Sequence, residues 1–223
     1  MYEKKVKLPV DGWFVEGDLV LPVNAGSIII FSGAVCRYDP QANQLARYLN
    51  EAGFGTLLFN LMTTREVEGF RRQDIDSITE RLLAFTLWIH SHSEYRNLEI
   101  GYMGLNIGGA VALRSAGELG KAIKAVVTQG ARTDLALGAL SAMESPTLLI
   151  VGELDFQGLT LNQKAFQQLK CKKQLVVIPG GSHSLPEPGK LEQAGKDATT
   201  WFKKHMSGID SEKPLQFDIP KGK

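Results

Sequence analysis

The apolar stretch Leu98-Glu99-Ile100-Gly101-Tyr102-Met103 predicts a buried strand, and Gly104-Leu105-Asn106-Ile107-Gly108-Gly109 follows it directly. The segment 107–119 is rich in Ala and Gly and predicts a helix. A glycine-flanked residue between a strand and a helix is typical of the sharp turn called the nucleophile elbow, where the backbone is strained and nearby Cβ atoms have no room. Such a turn should carry Ser or Cys at its centre, and here the central residue is Asn106.

Strand and helix patterns alternate on both sides of this turn. Buried strands are predicted at 27–31, 55–59, 122–128, 146–152 and 174–178, and helices at 41–52, 74–90, 162–169 and 191–205. The alternation predicts an α/β fold with a mostly parallel central sheet and helices on both faces. The first 24 residues alternate polar and apolar around Asp11-Gly12, which predicts an antiparallel hairpin at one edge of the sheet.

The composition is that of a globular protein, with 43% apolar and 22% charged residues among 223. We expect one domain over residues 1–206 and an extended tail over 207–223, which contains Pro214 and Pro220. The formal net charge of +1 gives no whole-chain attraction to nucleic acid or to anionic membranes, so neither is expected as a partner.

The cysteines Cys36 and Cys171 are too few for a disulfide framework and lack metal-ligand spacing. The N-terminus lacks the apolar core of a secretory signal, and no apolar run is long enough to span a membrane. We therefore expect a cytoplasmic protein that uses no metal and no cofactor. Its oligomeric state stays open.

Polar side chains follow two later strands of the predicted sheet. Gly152-Glu153-Leu154-Asp155 places a carboxylate after one strand, and Pro179-Gly180-Gly181-Ser182-His183 places an imidazole after the next. Ligands of parallel sheets bind at the carboxyl ends of the strands, so Asp155 and His183 are candidate site residues together with Asn106. The chain order of elbow, acid and histidine is that of α/β-hydrolases.

Several stretches carry a family resemblance. They are Asp11-Gly12 through Glu16-Gly17-Asp18-Leu19, the stretch 50–59, Gly101-Tyr102-Met103-Gly104, the stretch 146–152, and Pro179-Gly180-Gly181-Ser182-His183 with Glu187-Pro188-Gly189. Together they resemble the bacterial α/β-hydrolases of the dienelactone-hydrolase-like group. The resemblance covers about residues 3–205 and bears on the fold more directly than on the activity, because a fold alone does not determine function.

The resemblance implies a set of roles at an esterase site. Position 106 would carry a Ser or Cys nucleophile, with Asp155 as the acid and His183 as the base. The backbone N–H of Ile107 and an amide near Gly33 or Ala34 would form the oxyanion hole. The implied partner is a small ester- or lactone-like molecule.

The sequence departs from this family pattern at two places. The loop after the first central strand is Phe31-Ser32-Gly33-Ala34-Val35-Cys36-Arg37 instead of a His-Gly-Ser-Gly-like sequence. The carboxamide of Asn106 has no proton that His183 can remove to make a nucleophile, so we expect weak hydrolase activity or none. Two alternatives stay open: a non-catalytic ligand-binding or interaction module, and an enzyme in which His183 with Asp155 acts as a general base without a covalent intermediate.

Each candidate residue also has a purely structural interpretation. Asn106 tolerates the positive φ of a strained turn, and Asp155 suits the N-cap of a following helix. We interpret Cys36 as a small buried thiol and Arg37 as the partner of an acid across the site mouth. The mixed-sign run 65–74 is interpreted as a solvated loop.

Overall fold

The computed structural model describes residues 1–10, 13–69 and 74–206. The strands in these ranges are β1 (Tyr2–Val10), β2 (Trp13–Leu21), β3 (Ser27–Ser32), β4 (Gly55–Phe59), β5 (Glu99–Leu105), β6 (Ile123–Gln129), β7 (Thr147–Gly152) and β8 (Lys173–Ile178). The helices are α1 (Pro40–Glu51), α2 (Thr64–Gly69), α3 (Ile75–Ser91), α4 (Ile107–Leu119), α5 (Leu137–Leu140), α6 (Phe156–Gln168) and α7 (Lys190–His205).

The strands form one sheet in the order β1-β2-β4-β3-β5-β6-β7-β8. The pairs β1–β2 and β2–β4 are antiparallel, and every later pair is parallel. This arrangement confirms the predicted α/β fold with an antiparallel hairpin at one edge. The predicted hairpin turn at residues 11–12 and the predicted tail at 207–223 lie outside the described residues.

Apolar side chains fill both faces of the sheet, because the central strands β3 and β4 are buried along their whole length. On one face, α1 and α7 contribute core residues such as Leu49 and Phe202. On the other, α3, α4 and α6 contribute residues such as Leu82, Val111 and Ala165. A parallel sheet covered in this way exposes its carboxyl edge, where the loops meet. None of the helices in the described ranges combines the length and apolar character needed to cross a bilayer.

The prediction of a loop over 65–74 was wrong for its first part, because Thr64–Gly69 is helical. The Thr63 N–H donates to Glu66 Oε2 at 2.7 Å, and the Glu66 N–H donates to Thr63 Oγ1 at 3.3 Å. This reciprocal pair is a capping box, which stabilises a helix start. Arg81 donates a hydrogen bond to Glu66 and thereby lowers the pKa of that carboxyl to about 2.

The predicted start of the helix at 162 was also wrong, since α6 begins at Phe156. Asp155 is its N-cap, and Asp155 Oδ1 accepts a hydrogen bond from the Gly158 N–H at 2.9 Å. Gly158 has poor helix propensity, so the sequence pattern did not predict the first turn of α6. The N-cap Asp155 compensates for this low propensity.

Candidate active site

Asn106 occupies the turn between β5 and α4 with a φ of 52° and a ψ of −117°. This backbone conformation is strained for a residue with a side chain. The Asn106 N–H donates to the Gln129 carbonyl at 3.1 Å, and the Asn106 carbonyl accepts from the N–H groups of Gly109 and Arg132, both at 3.1 Å. The side chain is exposed and hydrogen-bonds no other described residue. The backbone is therefore fixed, while the carboxamide is not held.

The end of β3 packs directly against the first turn of α4. A Cβ atom at Gly108 would overlap the Ser32 carbonyl oxygen and would lie 2.5 Å from Gly33 Cα. The Ser32 hydroxyl also donates to the Gly108 carbonyl at 2.9 Å. Only glycine permits this approach, which places the loop after β3 beside the elbow.

The backbone groups predicted to form an oxyanion hole lie at the start of α4 and in the loop after β3. Ile107 is the first residue of α4, where an amide N–H has no acceptor within its own helix. The carbonyl groups of Gly33 and Ala34 accept hydrogen bonds from the N–H groups of Leu61 and Met62 at 3.3 and 3.1 Å, which fixes their loop to the segment after β4. The oxyanion-hole role of Ile107, Gly33 and Ala34 stays a prediction.

Asp155 and His183 are brought together across the ends of β7 and β8. His183 Nδ1 and Asp155 Oδ2 are 2.6 Å apart, while Asp155 Oδ1 caps α6. The carboxylate is 11% exposed and the imidazole 47%. Because a carboxylate only accepts, Nδ1 carries the hydrogen, and Nε2 is left to act on a ligand. The cap and the imidazole contact coexist on one carboxylate, so the two interpretations of Asp155 do not exclude each other.

Residues 129–130 lie between Asn106 and His183. The Gln129 carbonyl accepts from the Asn106 N–H, and Gln129 Nε2 donates to the His183 carbonyl at 2.7 Å. Gly130 has a φ of +56°, and a Cβ at this position would lie 3.2 Å from His183 Cε1. The sequence analysis missed Gln129, although a polar residue at the carboxyl end of a buried strand is a signal that would have found it.

The loop that carries His183 is held by two further carboxylates. Glu153 Oε2 accepts from the Gly180 N–H at 2.7 Å, and both oxygens of Glu187 accept from the Ser182 N–H at 3.1 Å. The hydroxyl and the backbone N–H of Ser182 lower the pKa of Glu187 by hydrogen bonding to its charged form. The His183 loop is therefore fixed from both sides.

Cys36 and Arg37 have structural surroundings. Cys36 is buried, and burial raises the pKa of its thiol far above the ordinary value, so the thiol stays protonated. Arg37 Nε donates to Asp18 Oδ2 at 2.8 Å, and Arg37 Nη1 donates to Glu16 Oε2 at 3.1 Å. The hydrogen bond with Asp18 raises the pKa of Arg37. These contacts confirm that Arg37 pairs with acids.

Comparison with known proteins places this chain in a hydrolase family. Residues 41–206 match the model of the dienelactone hydrolase family. The crystal structure of a dienelactone hydrolase from Anabaena variabilis is 36% identical, with a TM-score of 0.87 over 92% of this chain and 99% of that one. Est1E from Butyrivibrio proteoclasticus is 15% identical with a TM-score of 0.77, over 90% of this chain and 98% of that one, and this likeness shows the fold alone.

Curated relatives from two strains of Mycobacterium tuberculosis are provisionally named phosphoribosyl transferases. Each is 38% identical over 197 residues, which cover 87% of this chain and 44% of the relative. The chain thus spans less than half the length of the curated relatives it matches.

Proposed function

The chain belongs to the dienelactone hydrolase family, and on that premise we propose that it binds a small ester- or lactone-like molecule but hydrolyses it weakly or not at all. One observation carries the proposal. The turn between β5 and α4 has the backbone of a nucleophile elbow, and the Asp155–His183 pair is formed, yet the side chain at the turn is the carboxamide of Asn106.

Covalent catalysis at this site needs a group that gives up a proton and then attacks a carbonyl carbon. In a triad, the histidine removes that proton from a hydroxyl or thiol, and the carboxylate holds the imidazole in the required tautomer. The nitrogen of Asn106 is a poor nucleophile because its lone pair is delocalised into the adjacent C=O. The backbone amides at Ile107 and in the loop 33–34 can still hold a carbonyl oxygen, so ligand binding survives the loss of the nucleophile.

General-base catalysis by His183 without a covalent intermediate is the second candidate function. It is favoured by the half-exposed imidazole, whose Nδ1 is held by Asp155 and whose Nε2 is left to accept a proton from water. If His183 acts as a general base, the parent protein hydrolyses esters and His183→Ala abolishes this hydrolysis. If the protein only binds its ligand, the parent shows no ester hydrolysis for His183→Ala to abolish.

The transferase name belongs to relatives more than twice as long as the matched segment. We assign no phosphoribosyl transfer to this chain, because its residues 41–206 match a hydrolase family and the candidate site consists of hydrolase elements.

The test is the turnover of small activated esters by Asn106→Ser. Loss of the nucleophile from a serine-protease triad costs on the order of a million-fold in turnover, so restoring a hydroxyl here should raise the rate by several powers of ten. Asn106→Ala is the matched control, and the double variant Asn106→Ser with His183→Ala tests dependence on the base. Both should stay at the parent level. A Ser variant no faster than Asn106→Ala, or a double variant as active as the single one, contradicts the proposal.

A further inference from the structure

We propose that Asn106 is a self-modification site, at which a water molecule activated by His183 and Asp155 hydrolyses the carboxamide to a carboxylate. The carboxamide is exposed and without a hydrogen bond among the described residues, so its carbonyl carbon is open to attack. Asn106 and His183 share one partner, since Gln129 hydrogen-bonds the backbone of both, and a Cβ at the next residue, Gly130, would lie 3.2 Å from His183 Cε1.

The reaction consumes one water and releases one ammonia. The water oxygen bonds to Asn106 Cγ while its proton passes to His183 Nε2, and the electrons of the C=O bond move to Oδ1. The negative charge on Oδ1 needs a hydrogen-bond donor, and the backbone N–H of Ile107, the next residue in sequence, is the nearest candidate. When the C–N bond breaks, the imidazolium returns the proton to the leaving nitrogen, and the carboxylic acid formed at Cγ then gives its proton to the released ammonia, which leaves a carboxylate and ammonium. Asp155 holds the imidazole throughout by its 2.6 Å contact.

The ordinary route of asparagine deamidation is blocked at this position. That route needs the backbone nitrogen of the next residue to attack Cγ and close a five-membered succinimide ring. The next residue, Ile107, is β-branched and begins α4, and the elbow backbone is fixed by the contacts of Asn106 with Gln129, Gly109 and Arg132. Conversion of Asn106 therefore depends on water from the site and yields aspartate without isoaspartate.

The chain supplies its own reference residue. Asn97 is exposed in the turn before β5 and is followed by the bulky Leu98, much as Asn106 is followed by Ile107. Trypsin cleaves after Arg96 and Arg114, so both asparagines fall in the peptide 97–114 and are distinguished by fragment masses. Asn97 reports the deamidation rate that the same solution produces without a catalytic pair.

The experiment incubates the purified full chain in ¹⁸O-labelled water at neutral pH and follows this peptide by mass spectrometry. General-base catalysis contributes about a hundred-fold or more, so Asn106 should convert about a hundred times faster in the parent than in His183→Ala, faster also than Asn97, and should take up one ¹⁸O. His183→Ala should slow Asn106 to the rate of Asn97 or below it, because the succinimide route that is open to Asn97 is blocked at Asn106; circular dichroism confirms the fold. His90→Ala, an exposed histidine on α3, is the matched control and should convert at the parent rate. Asp155→Asn should slow Asn106 as well.

The proposal is overturned if Asn106 stays an amide, converts at the rate of Asn97, gives a mixture with isoaspartate, or converts equally fast in His183→Ala. These outcomes are independent of the esterase test, because the Asn106→Ser variant has no carboxamide. An active Ser variant together with a stable Asn106 would remove the self-modification and leave the proposed function intact.

Discussion

The candidate site has two halves, which differ in how far contacts hold their side chains. The base half consists of Asp155, His183 and the loop 179–189, and its side chains are paired and supported. The elbow half consists of residues 104–109 and the loop 32–34, and only its backbone is organised for chemistry. At its centre, the Asn106 side chain contributes no hydrogen bond among the described residues.

The difference shows which parts of such a site are tied to the fold. The elbow backbone is determined by close packing, because the first turn of α4 meets the Ser32 carbonyl through Gly108. The side chain at position 106 is exposed and takes no part in that packing, so the packing does not determine which residue stands there. A nucleophile can therefore be lost from this half while the geometry that served it persists.

Gly108→Ala should disrupt the packing of the elbow half, and of the substitutions described here it should lower the stability most. Its new Cβ would overlap the Ser32 carbonyl oxygen, and relief requires movement of β3 or α4. We expect the free energy of unfolding to fall by about 3 kcal/mol in urea denaturation. Gly138→Ala is the matched control, because a Cβ there meets open space on α5. Equal stability of the two variants would show that the contact between β3 and α4 does not constrain the elbow.

Gln129→Leu tests whether the contacts of Gln129 keep the base half in position relative to the elbow half. It removes the 2.7 Å hydrogen bond to the His183 carbonyl and leaves the backbone contact with Asn106. Made in the Asn106→Ser background, it should lower kcat about ten-fold with little change in KM, because small displacements of a base are costly. Gln167→Leu, at an exposed position on α6, serves as the control. An unchanged kcat would mean that His183 is positioned by Asp155 alone.

Glu187→Gln should have the smallest effect of these substitutions, and it should show how the stability contributed by the base half depends on pH. The Ser182 hydrogen bonds lower the pKa of Glu187 below its ordinary value of 4.5. The ionised form is thus favoured in the folded state, so its stabilisation is present above about pH 4.5 and is lost as the pH falls through the lowered value. The variant should have a lower Tm than the parent at pH 7, and the gap should close in acid. A gap that widens in acid would contradict this assignment.

Much of the site was predictable because its signals are local. The pattern of strand, glycine-rich turn and helix identified the position of Asn106, and residues directly after later strands identified Asp155 and His183. The starts of α2 and α6 were not predicted, since caps at Thr63 and Asp155 decide them more than apolar periodicity does. Sequence spacing gave no sign of the contact from Gln129 to His183 because 54 residues separate the two.

The central claim is that the site lacks only the nucleophilic side chain at position 106. It is tested most directly by treating the parent, Asn106→Ser, and Asn106→Ser with His183→Ala with a fluorophosphonate, and then analysing the peptide 97–114 by mass spectrometry. The account predicts a covalent adduct at position 106 in the Ser variant alone, because only there do a hydroxyl and its base coexist. An adduct at position 106 of the parent, or a Ser variant that stays unlabelled while folded, would contradict it.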